Sequence, residues 1–187
     1  MKVNTKQIDF RDRNLVFVDI ETTGLSIIRH EVIEIGALVV NSKSLKIIGE
    51  YEAKIAPVHI ERADREALKI NGFSQKDWKG AKSLESVLRE FNQIAKDCML
   101  IGWGVAFDHA FIAKAYEKAK IVRLFDYHHI DVVSIAYPVL YKNKEPKRLK
   151  LRVVADFFGI KMGNIHRAME DSFATYQIYK KLTQSIQ

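Results

Sequence analysis

The sequence predicts an α/β fold, a mixed central sheet flanked by helices. Three observations lead there. Three Val- and Ile-rich stretches follow one another early in the chain with short polar connections. A wholly apolar segment, Cys98 to Ile101, arrives later through a helical stretch, and from there on helical periodicity predominates. Strands joined by short turns pair antiparallel, while a strand reached through a helix is added parallel. The expected sheet therefore has three antiparallel strands followed by parallel additions.

The strands are placed at Leu15 to Glu21, Glu31 to Val40 and Leu45 to Ile55, each bounded by Gly, Asn or Ser. After Pro57 helices are predicted over Glu61 to Ile70 and Ser83 to Lys96. Cys98 to Ile101 has the pattern of a buried strand. Gly102-Trp103-Gly104 forms a loop, Asp108 to Lys120 a helix, Phe125 to Ile130 a short strand, and Asp131 to about Tyr141 a helix capped by its aspartate. A basic link, KNKEPKRLKLR, leads into a helix ending near Phe158-Gly159. The last helix, about Arg167 to Leu182, carries Met169, Phe173, Tyr176 and Tyr179 at helical spacing. No linker interrupts the run, so residues 1–14 read as an N-terminal extension and 15–183 as a single domain.

Composition narrows the function. The 187 residues are 48% hydrophobic and 28% charged, which excludes general disorder. No apolar run reaches the roughly 18 residues of a membrane span, and MKVNTKQIDFRDRN lacks a signal peptide's apolar core. The expected location is cytoplasmic, without a membrane partner. Cys98, the single cysteine, reads as a small core residue in a reducing compartment. The sequence ends at Ser185-Ile186-Gln187 soon after the last helix, so no polymerase-binding tail is expected. A net charge of +7 fits a polyanionic partner.

Within this basic chain the acids are concentrated locally. FVDIETTGL ends an apolar strand with Asp19 and Glu21, which project from one face because strand residues two apart share a side. Paired carboxylates repel, and a hard divalent cation with oxygen ligands relieves that repulsion. A solvated strand end has the same pattern, so the pair alone leaves both readings open. Asp108 opens a helix, where an N-cap or a ligand would both place an acid. Asp171 lies in the first turns of the last helix, where the helix dipole also favours it. His166 precedes it by five residues. Trp78 and Trp103 read as core anchors, and Lys142, Lys144, Lys147, Arg148, Lys150 and Arg152 as either a solvated link or a phosphate track.

FVDIETTGL, GVAFDHAFI and HRAMEDSFATYQIY, in that order, closely resemble the three exonuclease motifs of the DEDD superfamily. The pairing of His166 with Asp171 resembles its DEDDh branch, which includes the proofreading epsilon subunit of bacterial DNA polymerase III. EVIEIGAL and LRVVADFFGI also fit, and the resemblance spans about Leu15 to Leu182. It implies a ribonuclease H-like fold and a 3′–5′ exonuclease that hydrolyses phosphodiester bonds at single-stranded DNA 3′ ends, releasing nucleoside monophosphates. Asp19, Glu21, Asp108 and Asp171 would hold two divalent metal ions, Mg²⁺ or Mn²⁺, with His166 as general base. Thr22 and Thr23 would bring backbone to the terminal nucleotide, Leu25 would wedge against its base, and Phe107 would line the pocket. Two departures touch the pocket and not the acids. Trp103-Gly104 stands where the family commonly has His-Asn, and Asp131-Val132 where Asp-Thr is frequent. Two other readings are an RNA-trimming exoribonuclease of the same superfamily and a non-enzymatic nucleic-acid-binding module.

Overall fold

A computed structural model describes residues 8–163 and 167–184. Strands β1 (Leu15–Thr22), β2 (Val32–Val40), β3 (Ile47–Lys54), β4 (Met99–Gly102) and β5 (His129–Asp131) form one sheet in the order β3-β2-β1-β4-β5. β1 to β3 pair antiparallel, and β4 and β5 join parallel, as the sequence implied. The helices are α1 (Arg65–Ile70), α2 (Leu84–Ile94), α3 (Ala106–Ala119), α4 (Val132–Leu140), α5 (Leu151–Phe157) and α6 (Ala168–Gln184). No described helix is long and apolar enough to cross a membrane.

The two faces of β1 separate the core. Val16, Val18 and Ile20 pack with Val87, Leu88 and Phe91 of α2 and Phe111 and Ile112 of α3. Leu15 and Phe17 face the other way, against α4, α5 and α6. Phe17 meets Tyr176 and Tyr179 edge-on at centroid distances of 5.5 and 5.3 Å, contacts worth about 0.5–1.5 kcal/mol each beyond the buried area. Strand alternation then puts Asp19 and Glu21 on the α6 side.

Among the boundaries that differ from the expectation, three have a local reason. The helix expected over Glu61 to Ile70 is broken into a 3₁₀ turn (Ile60–Arg62) and α1, because Asp64 leaves helical geometry to cap α1 through the Glu66 N–H at 2.8 Å. The strand expected from Phe125 shrinks to β5, since the Phe125 ring is turned into the core against Phe91 and Tyr116. α3 starts at Ala106, which puts Asp108 inside the first turn and not at the cap. Asp131 does cap its helix, accepting the Val133 N–H at 3.2 Å, and Cys98 is buried. Trp78 is also buried, its indole donating to the Ile33 carbonyl at 3.0 Å. Trp103 is half-buried against the α4–α6 side.

Candidate active site

β1 delivers Asp19 and Glu21 from the centre of the sheet, and α6 brings Asp171 down onto them. One carboxylate oxygen from each of the three lies within 4.8 Å of the others. What permits this approach is the backbone at Gly36, the β2 partner of Asp19: any Cβ there would collide with the backbone of Ala168 and Met169. Ser172 then locks the crossing by donating its hydroxyl to the Gly36 carbonyl at 2.9 Å. Asp108 lies outside that trio. It reaches in from α3, almost fully buried, and accepts the Ile20 N–H at 3.2 Å.

Burial, and then the charges of Asp108, Asp171, Glu21 and Glu34, push the Asp19 carboxyl well above its ordinary range. Burial followed by Asp171, Glu34 and Asp108 raises Glu21 to about 8, against a smaller opposing pull from Arg167. Burial raises Asp108 to about 7 even though its backbone hydrogen bonds favour the charged form. Arg167 is engaged elsewhere, donating to Glu34 at 3.1 Å and Glu52 at 2.9 Å. Among the described residues, burial and the neighbouring carboxylates outweigh the pull of Arg167 on Glu21. An all-oxygen, acid-rich donor set of this kind fits a hard divalent ion.

Glu34 is a residue the sequence reading passed over. It is fully buried opposite Glu21 on β2, with Oε1 accepting from Arg167 and from the Ala168 N–H at 3.3 Å. Among the described residues its Oε2 has no hydrogen-bond partner. The signal was available in EVIEIGAL: an acid within an otherwise apolar buried strand is costly without a partner. Glu34 ties β2 to the start of α6 and so fixes the height of Asp171 over the sheet.

The turn after β1 is equally constrained. Thr22 is buried and donates its hydroxyl to the Gly24 carbonyl at 2.8 Å, while the Thr23 hydroxyl accepts the Glu31 N–H at 2.9 Å. Asn71 braces the turn from outside by donating to the Thr22 carbonyl at 2.9 Å. Gly24 has φ +149°, and a Cβ would run into the His30 ring. Leu25 therefore stands at the tip of a stiff turn with 81% of its surface exposed, and Phe107 is partly exposed on α3. His166 lies outside the described residues. A cavity of about 420 Å³, lined by residues such as Ile27, His59, Phe111 and Lys114, sits on the α2–α3 side and includes none of the carboxylates.

Comparison with known proteins decides the family. Residues 16–179 match the RNase T exonuclease family. The chain belongs to the exonuclease family. Similar sequences include the PolC-type DNA polymerase III of Caldanaerobacter subterraneus subsp. tengcongensis, 34% identical over 173 residues and covering 92% of this chain. That of Clostridium perfringens is 32% identical over 180 residues, 95% of this chain. The chain spans only 12% of the length of either relative. Among solved structures, E. coli exonuclease I in complex with a dT13 oligonucleotide superposes with a TM-score of 0.79 at 17% identity, covering 91% of this chain and 41% of that one. A 3′-exonuclease that recognises histone mRNA stem-loop superposes at 0.74 with 18% identity, covering 96% and 68%. The ribonuclease H-like α/β fold expected from the sequence is the fold observed. The family is the DnaQ-like group of 3′–5′ exonucleases.

The raised carboxyl pKa values have a thermodynamic consequence. The folded chain retains protons that the unfolded chain releases near pH 4, so the cluster's contribution to stability is full below about pH 4 and is lost as pH rises through about 7 to 8. A divalent ion competes with those protons. Millimolar Mg²⁺ or Mn²⁺ should therefore raise the melting temperature by roughly 5–10 °C near pH 8, the shift expected of a ligand at about 100 times its Kd, and by much less near pH 5. Equal shifts at both pH values, read by calorimetry, would mean that the ion binds elsewhere.

Proposed function

We propose that this chain is a metal-dependent 3′–5′ exonuclease acting on single-stranded DNA. The observation that carries the reading is the gathering of Asp19, Glu21 and Asp171 within 4.8 Å, with Asp108 buried and accepting the Ile20 N–H beside them. In this reading those four carboxylates hold a pair of Mg²⁺ or Mn²⁺ ions. Two bound divalent ions supply an activated water and neutralise charge on the phosphorus and the leaving oxygen.

The chain's own groups do the rest. His166 accepts the proton of the attacking water, a task suited to an imidazole whose ordinary pKa of about 6.5 leaves it largely neutral near pH 7. The braced turn at Thr22 and Thr23 holds main-chain groups against the terminal nucleotide. Leu25 stacks against its base, and Phe107 closes the side of the pocket. A stiff turn ending in an exposed wedge accepts a chain end and obstructs a strand that continues past it, which supports cutting from the end. Preference for DNA is favoured by the sequence likeness to DNA polymerases. The fold likeness to a histone mRNA exonuclease keeps RNA as the second reading.

The test uses matched DNA and RNA oligonucleotides labelled at the 5′ end, single- and double-stranded, with Mg²⁺. A ladder shortening one nucleotide at a time, fastest on single-stranded DNA, is the expected result. Faster loss of RNA would transfer the assignment to the exoribonuclease reading.

A further inference from the structure

The basic link between α4 and α5 is not accounted for by the cleavage site. All of its cations are exposed, and its one acid, Glu145, lies 3.5 Å from Lys147. Among the described residues no carboxylate pairs with Lys142, Arg148 or Lys150. Just before the link, Tyr137 and Tyr141 project from the outer face of α4 and just beyond it. Their rings are stacked at 6.2 Å with an 18° interplanar angle, 61% and 60% exposed, while Ala136 and Leu140 face the core. Lys142 lies 5.7 Å from the centre of the Tyr141 ring. At its other end the link is tied to the active-site side of the sheet, where the Trp103 indole donates to the Leu149 carbonyl at 3.3 Å. The neighbouring Gly104 N–H is held by Asp131 at 2.8 Å, immediately before α3 and Asp108.

We propose that this strip, from the Trp103 loop along Arg148 and Lys150 to the Tyr137–Tyr141 pair, binds the single strand that trails behind the cleaved 3′ end. Cations spaced along an exposed backbone suit a row of phosphates, and exposed near-parallel rings suit bases, whose faces stack on aromatics irrespective of sequence. A link that was merely solvated would have no need of two uncovered phenol rings at its root. The near-parallel pair of rings suits base stacking, and an anionic lipid surface is the alternative that the vesicle measurement below tests. The proposal rests on the exonuclease reading only for the direction of the strand.

Binding is measured without turnover, by fluorescence anisotropy of a labelled oligothymidylate of about 20 nucleotides in EDTA. The Tyr137→Ala/Tyr141→Ala pair should bind at least tenfold more weakly than wild type, a loss in line with base stacking on aromatic rings. The Lys142→Glu/Arg148→Glu/Lys150→Glu triple should lose at least as much and show a shallower dependence on salt. Tyr137→Phe/Tyr141→Phe keeps the rings and should bind as wild type does. With Mg²⁺, hydrolysis of trithymidylate should be unchanged in all three variants while KM for the long strand rises in the alanine pair and the charge triple. Wild-type affinity in the alanine pair or in the charge triple overturns the proposal, as does a loss in the phenylalanine pair equal to that in the alanine pair. So does binding of phosphatidylserine vesicles in preference to the oligonucleotide. Absence of hydrolysis in the wild type counts against the exonuclease reading and leaves the anisotropy result to judge the strip.

Discussion

Asp19→Asn and Asp171→Asn should each lower hydrolysis of a single-stranded oligonucleotide by about 10³-fold or more, the scale of losing several kcal/mol of charge stabilisation in the transition state. Each replaces a carboxylate of the trio at nearly constant volume, so the loss reflects charge and not packing. The same geometry predicts an opposite effect on stability. Asp19 repels Asp108, Asp171, Glu21 and Glu34 across a buried site, and removing its charge relieves that repulsion. The melting temperature of metal-free Asp19→Asn near pH 8 should accordingly equal or exceed that of wild type, while the stabilisation by Mg²⁺ is lost. Wild-type turnover in either variant, or a collapse in melting temperature that accounts for the lost activity, would contradict the account.

His166→Ala should lower the chemical step by roughly 10²-fold or more, the usual contribution of a general base. Single-turnover measurements at saturating DNA isolate that step, and affinity for the oligonucleotide in EDTA should stay near the wild-type value. With His166 in the proposed role, the acid limb of the pH–rate profile should flatten in the variant. A normal single-turnover rate with collapsed binding would make His166 a contact to substrate and remove it from proton transfer.

Much of this was legible in the residues. Alternation along β1 places Asp19 and Glu21 on one face without reference to any coordinates, and short connections between the first three strands require antiparallel pairing. Asp108 and Asp171 were legible as acids at the starts of helices, but their convergence with Asp19 and Glu21 was implied only by the family resemblance and not by local pattern. Convergence depends on how closely α6 can approach the sheet, which is decided by the missing side chain at Gly36, the Ser172 hydroxyl and the buried carboxylate of Glu34. None of these has a distinctive pattern of its own: a glycine in a strand can equally mark a bulge, and an acid in an apolar strand is ambiguous until its partner is known. The Glu34–Arg167 pair joins residues 133 positions apart. The inward turn of Phe125 was hidden for the same reason, since its partners Phe91 and Tyr116 come from α2 and α3. The bracing of the Thr22–Gly24 turn by Asn71 is likewise a long-range bond that local turn chemistry does not reveal.

In the proposed function the carboxylate cluster at the end of β1 performs metal-dependent hydrolysis at a strand's 3′ terminus. This activity is tested most directly by one time course in which a linear single-stranded DNA, labelled at its 5′ end, and a circular single strand of the same sequence are incubated together with the protein. Mg²⁺ or Mn²⁺ should drive stepwise shortening of the linear strand from its 3′ end and leave the circle intact, and EDTA should stop the reaction. Cleavage of the circle at a comparable rate, or shortening of the linear strand that persists in EDTA, would contradict the proposed function.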